Sequence, residues 1–195
     1  MPNWVHTTMS VHGTPAELEE FRSKANQPIK HPVTDRVHRE DGTVDIVTSM
    51  VTTTNPVMSF HNFVDPNKFT DNYVDGWYDA NISAWGVKWD AVYVDVDTSQ
   101  DEMTQYEFDT AWSPAQRVFE AMVSQYPNLS FTFHCVEEQG WGVVFESVDG
   151  DLEITDEWDI PESHADYLAL DQTCLCERWP PDEPDYWFSD CPAKQ

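Results

Sequence analysis

Residues 73–97 read YVDGWYDANISAWGVKWDAVYVDVD and hold three of the nine tryptophans of the chain. From Tyr73 to Ala84 the apolar residues recur at helical spacing, and Gly86 follows as a stop signal. Beyond it, residues 89–96 place apolar side chains on both faces of a strand, which is typical of the middle of a sheet. The segment therefore predicts a helix buried on most sides that leads into a central strand.

The same start signal predicts two further helices. Thr14 and Ser113 each supply a capping hydroxyl, a proline follows each of them at the first helical position, and Glu17 and Gln116 stand three residues after the cap. The buried faces predicted for these helices are Leu18, Phe21 and Ala25 in the first, and Ala115, Val118, Phe119, Met122 and Val123 in the second.

Alternating apolar and polar residues predict the strands. They fall at residues 4–11, 42–54, 104–110, 129–135 and 141–148, together with the central strand, whereas the proline-containing and charged residues 26–41 are interpreted as a loop or linker. Without an insertion at about residues 27–72, the order of elements is that of the ferredoxin-like split β-α-β fold. The predicted fold class is α+β, with an antiparallel sheet in residues 1–148 and an acidic, aromatic-anchored C-terminal extension in residues 149–195.

Acidity dominates the composition. The 195 residues include 36 Asp and Glu against 10 Lys and Arg, which gives a formal net charge of −26 at pH 7. Such a surface opposes binding to nucleic acid or to an anionic membrane and favours a basic partner. The alternative is that the acidity only keeps the protein soluble and monomeric.

Neither a membrane-spanning run nor a signal peptide is evident, so we expect a cytoplasmic protein whose cysteines are reduced thiols. Cys174, Cys176 and Cys191, with His164 as a fourth ligand, match a structural zinc site by ligand type. Their spacing departs from the usual pattern, in which two residues separate paired cysteines. The prediction is therefore no metal and no other cofactor, with zinc left open at these residues.

Several strings resemble one known family. They are Asn3-Trp4, Trp77-Tyr78, residues 85–90 (WGVKWD), residues 108–115 (FDTAWSPA) and Phe131-Thr132-Phe133. Together they resemble the YubB ferredoxin-like family, whose members are small proteins carried mostly by bacteriophages, plasmids and prophages. The resemblance spans roughly residues 1–148 and implies a ferredoxin-like fold and a mobile-element origin, but no catalytic residues. Lys88 stands alone among acidic and aromatic residues, and we expect it to pair with a carboxylate or to lie across an indole ring.

No catalytic motif stands out. The sequence has no phosphate-binding glycine loop, no nucleophile elbow and no Cys-His pair in a recognisable context. Because some ferredoxin-like domains process RNA, His6, His12 or His61 is a candidate general base, but a sheet with so few Lys and Arg would hold RNA poorly. We therefore expect a protein that is not an enzyme, with a small nucleic-acid-processing enzyme as an alternative.

The distribution of charge suggests how the protein acts. Between Arg117 and Arg178 there are fourteen acidic residues and no Lys or Arg. Carboxylates on a hairpin and tail could imitate the phosphates of DNA, which carries one charge per ~1.7 Å of duplex. We therefore expect the protein to bind and inhibit a host protein with a basic or DNA-binding surface. The predicted acidic contact residues are Glu137, Glu138, Glu146, Asp149, Asp151, Glu153, Asp156, Glu157 and Asp159.

A second mode of binding uses aromatic residues instead of charge. Trp158, Trp179 and Trp187 lie in the predicted C-terminal extension. Trp and Tyr are favoured anchors of protein interfaces, so these residues are the alternative contact set for an interaction or structural module that does not mimic DNA.

Overall fold

An antiparallel sheet of six strands forms the main body of the computed structural model, which describes residues 3–39, 41–178, 188, 190 and 191. The sheet order is β4-β5-β1-β6-β7-β8. These strands are β1 (Trp4–His12), β4 (Val92–Gln100), β5 (Met103–Ala111), β6 (Ser130–Glu137), β7 (Gly142–Val148) and β8 (Asp151–Trp158). The remaining strands, β2 (Ile29–His38) and β3 (Val44–Thr53), form a separate two-stranded ribbon.

The prediction of a ferredoxin-like fold is confirmed at the level of the core. Its βαββαβ unit consists of β1, α1 (Pro15–Ala25), β4, β5, α3 (Gln116–Gln125) and β6, and β1 lies between β5 and β6, antiparallel to both. Strands β7 and β8 then extend the sheet by two hairpins. One face of the sheet packs against α1 and α3, where Phe119 stacks on Phe133 with ring centroids 4.1 Å apart.

Helix α1 begins as the sequence predicts. The Thr14 hydroxyl accepts a hydrogen bond from the Glu17 backbone N–H, and the Glu17 carboxylate accepts one from the Thr14 N–H, which completes the capping box. Leu18, Phe21 and Ala25 are buried on its inner face, as predicted.

Helix α3 starts later than predicted and without a side-chain cap. The first carbonyl to accept helical hydrogen bonds belongs to Ala115, at 2.9 Å from the Val118 N–H and 3.2 Å from the Phe119 N–H. The Ser113 hydroxyl does not cap the helix, because Ser113 lies in a turn that the Thr110 side chain holds by donating to its carbonyl at 2.8 Å. The predicted buried stripe of α3 is confirmed.

The interpretation of residues 26–41 as a loop was wrong for most of that range. Residues 29–38 form β2, which pairs residue by residue with β3. Pro28 and Pro32 suggested a break in structure, but an edge strand tolerates proline and both strands of an isolated ribbon are edges. Two 3₁₀ turns, Phe60–Asn62 and Pro66–Phe69, connect the ribbon to α2 (Tyr73–Trp85).

Helix α2 ends at Gly86, which adopts a left-handed φ of 82° as its position requires. The strand that follows is not central, however, because β4 lies at the edge of the sheet. Tyr93 has a φ of 53° at a bulge, so the alternation slips by one residue there. The slip makes both faces of β4 look apolar in the sequence, although Asp95 and Asp97 face solvent. Nor is α2 buried on most sides, because Tyr78 and Ile82 are exposed.

The sheet continues past residue 148. Residues 151–158 were expected to belong to an extended tail, but they pair with β7 as the edge strand β8. They are followed by two short helices, α4 (His164–Ala169) and α5 (Leu175–Arg178). Among the described residues, no helix combines the length and the apolar composition that crossing a membrane requires.

Candidate functional site

The nine predicted acidic contact residues do not share one surface. Glu137 is only 2% exposed, and its carboxylate accepts a hydrogen bond from the Gln139 backbone N–H at 2.7 Å. Glu157 lies opposite Val143, on the side of the sheet that packs against the helices. Asp149 and Asp151 lie at the turn into β8, and Asp159 follows its end. By strand register, Glu146, Glu153 and Asp156 belong to the open face of the sheet, and Asp151, opposite Val148, lies at the margin of that face.

The register of the strands identifies further acidic residues on that open face, because residues directly opposite each other in a sheet point to the same side. One row across all six strands runs Asp95, Glu107, Thr8, His134, Val144 and Asp156. The next row runs Asp97, Gln105, Ser10, Thr132, Glu146 and Glu153. We call Asp95, Asp97, Glu107, Asp109, Glu146, Glu153 and Asp156 the acidic sheet face.

No cation offsets this charge within the sheet. None of the residues of the six strands, all of which the structure describes, is Lys or Arg. His6 in β1 contacts one of these carboxylates, with its Nδ1 2.9 Å from Asp109 Oδ1. Two carboxylate pairs stand directly opposite each other, Asp95 with Glu107 and Glu146 with Glu153. Like charges in this position destabilise a sheet by about 0.2–1 kcal/mol per pair.

Exposed aromatic rings border the acidic sheet face at the start of β1 and β4. Tyr93 is 79% exposed and Trp112 is 49% exposed, and both have left-handed backbones, with φ of 53° and 67°. Trp4 contacts the Tyr93 ring edge-on at 6.3 Å. Such conformations are costly for bulky residues and persist only where the surrounding structure holds them. Sequence patterns did not identify these rings, because backbone strain leaves no periodic signal.

Lys88 lies across indole rings, which is one of the two arrangements expected from the sequence. Its Nζ is 4.4 Å from the centre of the Trp89 ring and 5.8 Å from that of Trp112, and these two rings stack on each other. The cation therefore stabilises the aromatic group rather than the carboxylates of the sheet.

Of the three tryptophans in the predicted aromatic contact set, the structure describes Trp158. Trp179 and Trp187 lie outside the described residues. Trp158 is half-buried, because its Nε1 donates to the Gly140 carbonyl at 2.7 Å and its ring lies 5.6 Å from that of His134. It therefore anchors β8 to the turn between β6 and β7.

A cavity of about 490 Å³ opens between the base of the β2–β3 ribbon and α2. Trp77, Trp85 and Trp89 line it together with His31 and His61. We call it the aromatic pocket. Its volume falls in the range of about 300–1,000 Å³ that is usual for small-molecule sites.

A hydrogen-bonded network forms one wall of the aromatic pocket. The Asp90 carboxylate accepts from the Ser59 hydroxyl at 2.5 Å and from the Phe60 N–H at 2.7 Å. His61 Nδ1 lies 3.2 Å from Asp90, and its Nε2 lies 3.1 Å from the Tyr73 hydroxyl oxygen. The Tyr73 hydroxyl in turn donates to the side-chain oxygen of Asn81 at 2.7 Å.

The network leaves His61 little freedom for acid–base chemistry. Both ring nitrogens of His61 have polar neighbours, the Asp90 carboxylate at Nδ1 and the Tyr73 hydroxyl at Nε2, and the Tyr73 proton is committed to Asn81. Burial, reinforced by the charge of Asp90, raises the pKa of Tyr73, so its hydroxyl stays protonated. The arrangement fixes the rings that line the pocket.

The structure also brings together three of the four residues considered for zinc. His164, Cys174 and Cys191 are all buried, and their ligand atoms lie within 4.8 Å of one another. The side chain of Cys176 lies outside what the structure describes. The sequence suggested these residues by ligand type only, because the fold of the C-terminal segment, rather than a local motif, assembles the cluster.

The sheet, its helix layer and the exposed acidic face define a ferredoxin-like α+β protein with a large anionic surface. Over residues 88–172 the chain is similar to a family described as the ferredoxin-like domain in Api92-like protein. This range begins before β4 and extends beyond α4, so it includes β8. No curated protein and no solved structure matches the chain. The resemblance to the YubB family in particular stays a prediction.

Proposed function

We propose that the protein acts by binding a partner protein that has a basic surface, and that the acidic sheet face makes the contact. One observation carries this proposal. Two clusters of carboxylates, one on β4 and β5 and the other on β7 and β8, lie on a sheet whose strands contain neither Lys nor Arg. With a net charge of −26, the protein repels nucleic acid and anionic membranes, whereas it accelerates and orients encounter with a cationic surface.

The cost of the arrangement supports a role in binding. Opposed pairs such as Glu146 and Glu153 weaken the free protein, and an amide in place of either carboxylate would remove the repulsion. A requirement for solubility alone can be met by carboxylates that do not oppose each other. Destabilising charges are instead expected where a partner neutralises them.

Mimicry of DNA is the specific form that we propose, and the spacing supports it. Side chains on one face of a strand repeat every ~6.8 Å, which equals the axial rise of two phosphates along one strand of DNA at ~3.4 Å each. The acids on β4 and β5 are separated from those on β7 and β8 by roughly 19 Å, taking four strand spacings of ~4.8 Å. Two anionic rows flanking a neutral strip resemble the two phosphate rows that flank a groove.

The identity of the partner is proposed from the resemblance to proteins of mobile elements. In that setting the partner is a DNA-binding protein in the cytoplasm of the host, and the effect of binding is inhibition. Tyr93 and Trp112 at the border of the acidic sheet face would supply the rigid aromatic anchors that protein interfaces favour.

The test compares two double variants with the same change in charge. Glu107→Gln with Glu153→Gln removes two carboxylates from the acidic sheet face, whereas Glu20→Gln with Glu157→Gln removes one from α1 and one from the helix side of β8. Each protein is used to capture partners from host lysate over a salt series, and the affinity of each captured protein is then measured. We expect the first variant to bind at least ~10-fold more weakly, or ~1.4 kcal/mol, and the second to bind like wild type.

Competition with duplex DNA and elution by salt distinguish mimicry of DNA from binding through aromatic residues. Duplex DNA should displace the partner, and salt should elute it. A partner that resists both DNA and salt, and that both double variants retain equally, would contradict mimicry and the role of the acidic sheet face. Binding would then be assigned to the exposed aromatic residues.

A second candidate function is the binding of a flat, aromatic small molecule in the aromatic pocket. The supporting observation is that three tryptophans surround a cavity of about 490 Å³ whose polar wall is already fixed by hydrogen bonds. A thermal-shift screen with nucleosides and aromatic amino acids tests it. A compound that raises the Tm of wild type and of Glu107→Gln, but not that of Trp77→Ala, would support this function. If no nucleoside and no aromatic amino acid raises the Tm, the result would count against it.

A further inference from the structure

We propose that His164, Cys174 and Cys191 form a structural metal site that binds Zn²⁺. All three side chains are buried, and their Nδ1 or Nε2 and Sγ atoms lie within 4.8 Å of one another. Around a tetrahedral zinc with bonds of ~2.3 Å to sulfur and ~2.0 Å to nitrogen, the ligand atoms stand ~3.5–3.8 Å apart. The cluster therefore needs shifts of only about 1 Å to hold the ion.

An unpartnered nitrogen points to the ligand independently. His164 is only 7% exposed, and its Nδ1 finds no hydrogen-bond partner among the described residues. Glu177 Oε1 is 3.9 Å from this nitrogen, which is beyond hydrogen-bonding distance. A buried imidazole nitrogen without a partner is unfavourable, and a bond to a metal satisfies it.

The neighbouring backbone holds the ligands in place. The Asp190 carboxylate accepts hydrogen bonds from the His164 and Ala165 N–H groups, both at 3.0 Å, and so caps the start of α4. Because Cys191 follows Asp190 directly, the cap fixes Cys191 beside His164. The cluster is thus pre-organised from two segments that are 26 residues apart.

The site has a clear structural purpose. Tyr167, Cys174 and Cys191 form a small core of their own, separate from the main core of the sheet. A core of this size supplies little stability, and small units of this kind are usually held by a metal or a disulfide. Through Tyr167, whose hydroxyl donates to the Gln139 carbonyl at 2.6 Å, the site would fasten α4 to the turn between β6 and β7.

The fourth position of the tetrahedron remains for a further ligand. Glu177 is close to His164 Nδ1 at 3.9 Å, and its carboxylate is of a type that zinc accepts. The three described ligands alone define the site that the experiment addresses.

The test measures the metal content of the full chain, purified under reducing conditions without chelators. Elemental analysis should find about one zinc ion per chain in wild type and in Cys135→Ser, a control in which the altered thiol lies in the main core. Cys174→Ser and Cys191→Ser should each lose most of the metal. If these two variants fail to fold, wild type stripped of metal and titrated with Co²⁺ should show thiolate-to-cobalt charge-transfer absorption.

Hydrogen exchange distinguishes a structural site from adventitious binding. Removal of the metal should increase exchange in residues 160–178 by at least ~10-fold and leave the central strands β1 and β6 unchanged. Three outcomes would overturn the proposal: no zinc and no charge-transfer band, a Cys174–Cys191 disulfide in the purified protein, or metal content that the two Cys→Ser variants retain.

Discussion

Removing one carboxylate from the acidic sheet face should make the free protein more stable. Glu153 stands directly opposite Glu146, with Cβ atoms ~4.5–5.5 Å apart in such pairs. For two charges ~6 Å apart in water, Coulomb's law gives about 0.7 kcal/mol of repulsion. Glu153→Gln should recover most of it in 10 mM salt, where the screening length is ~30 Å. For a chain of this length, this corresponds to a rise in Tm of roughly 1.5–3 °C.

Salt and a neighbouring variant identify the cause of this gain. In 1 M salt the screening length falls to ~3 Å, so the gain should shrink to about 0.1 kcal/mol. Glu157→Gln removes the same charge from the same strand, but Glu157 faces Val143 rather than a carboxylate. It should therefore stabilise the protein less. Urea denaturation of the three proteins at both salt concentrations measures these differences. Equal gains for the two variants, or a gain for Glu153→Gln that persists in 1 M salt, would refute the argument from opposed charges.

Three further predictions concern packing, pH and binding. Gly142→Ala should destabilise the protein by about 3 kcal/mol, because its Cβ would lie 2.2 Å from the Trp158 ring and 2.6 Å from a backbone oxygen. The control in urea denaturation is Gly76→Ala, whose Cβ would approach only the Thr70 side chain, at 2.8 Å from its hydroxyl oxygen. Similar losses for the two variants would contradict this explanation. Burial raises the pKa of the Cys135 thiol to about 12, so its contribution to stability is complete below the unfolded pKa of ~8.5 and is lost as the pH rises towards 12. Thiol reagents should therefore not modify folded Cys135 at pH 8, and modification without unfolding would disprove its burial. Tyr93→Ala should leave the Tm nearly unchanged, because the ring is 79% exposed, but should weaken partner binding by ~10-fold or more at every salt concentration; unchanged affinity would remove Tyr93 from the interface.

The sequence predicted the elements whose signals are local. Three such signals, each within two helical turns, are confirmed: the Thr14 capping box, the buried stripe of α3 and the stop at Gly86. The predicted start of α3 at Ser113 was wrong. The ferredoxin-like order was also accessible, because it depends only on the sequence of helices and strands.

What the sequence could not provide was the lateral arrangement of strands. The position of β4 at the edge was missed because a bulge at Tyr93 hides the alternation of β4. The acidic sheet face was only partly predicted, because it depends on how the strands are paired. Asp95 and Glu107 join Asp156 on one face only through the register of strands far apart in the chain, whereas Glu137, which looked equivalent, points into the core. The cluster of His164 with two cysteines likewise depends on tertiary folding.

The use of the few cations argues that the charge separation is a property of the fold and not only of the composition. Arg117 donates to the Ile82 and Ser83 carbonyls at the end of α2, where a cation also complements the helix dipole. Arg22 donates to the buried Thr104 hydroxyl from the helix side of the sheet, and Lys88 lies over the Trp89 ring. Each of these cations is committed to packing elements together, away from the acidic sheet face. If acidity served solubility alone, cations within the sheet would be as acceptable as cations on the helices. Because no Lys or Arg lies in the six strands of the sheet, all of which are described, the charged side chains of its open face are carboxylates, which is the property that a basic partner would recognise.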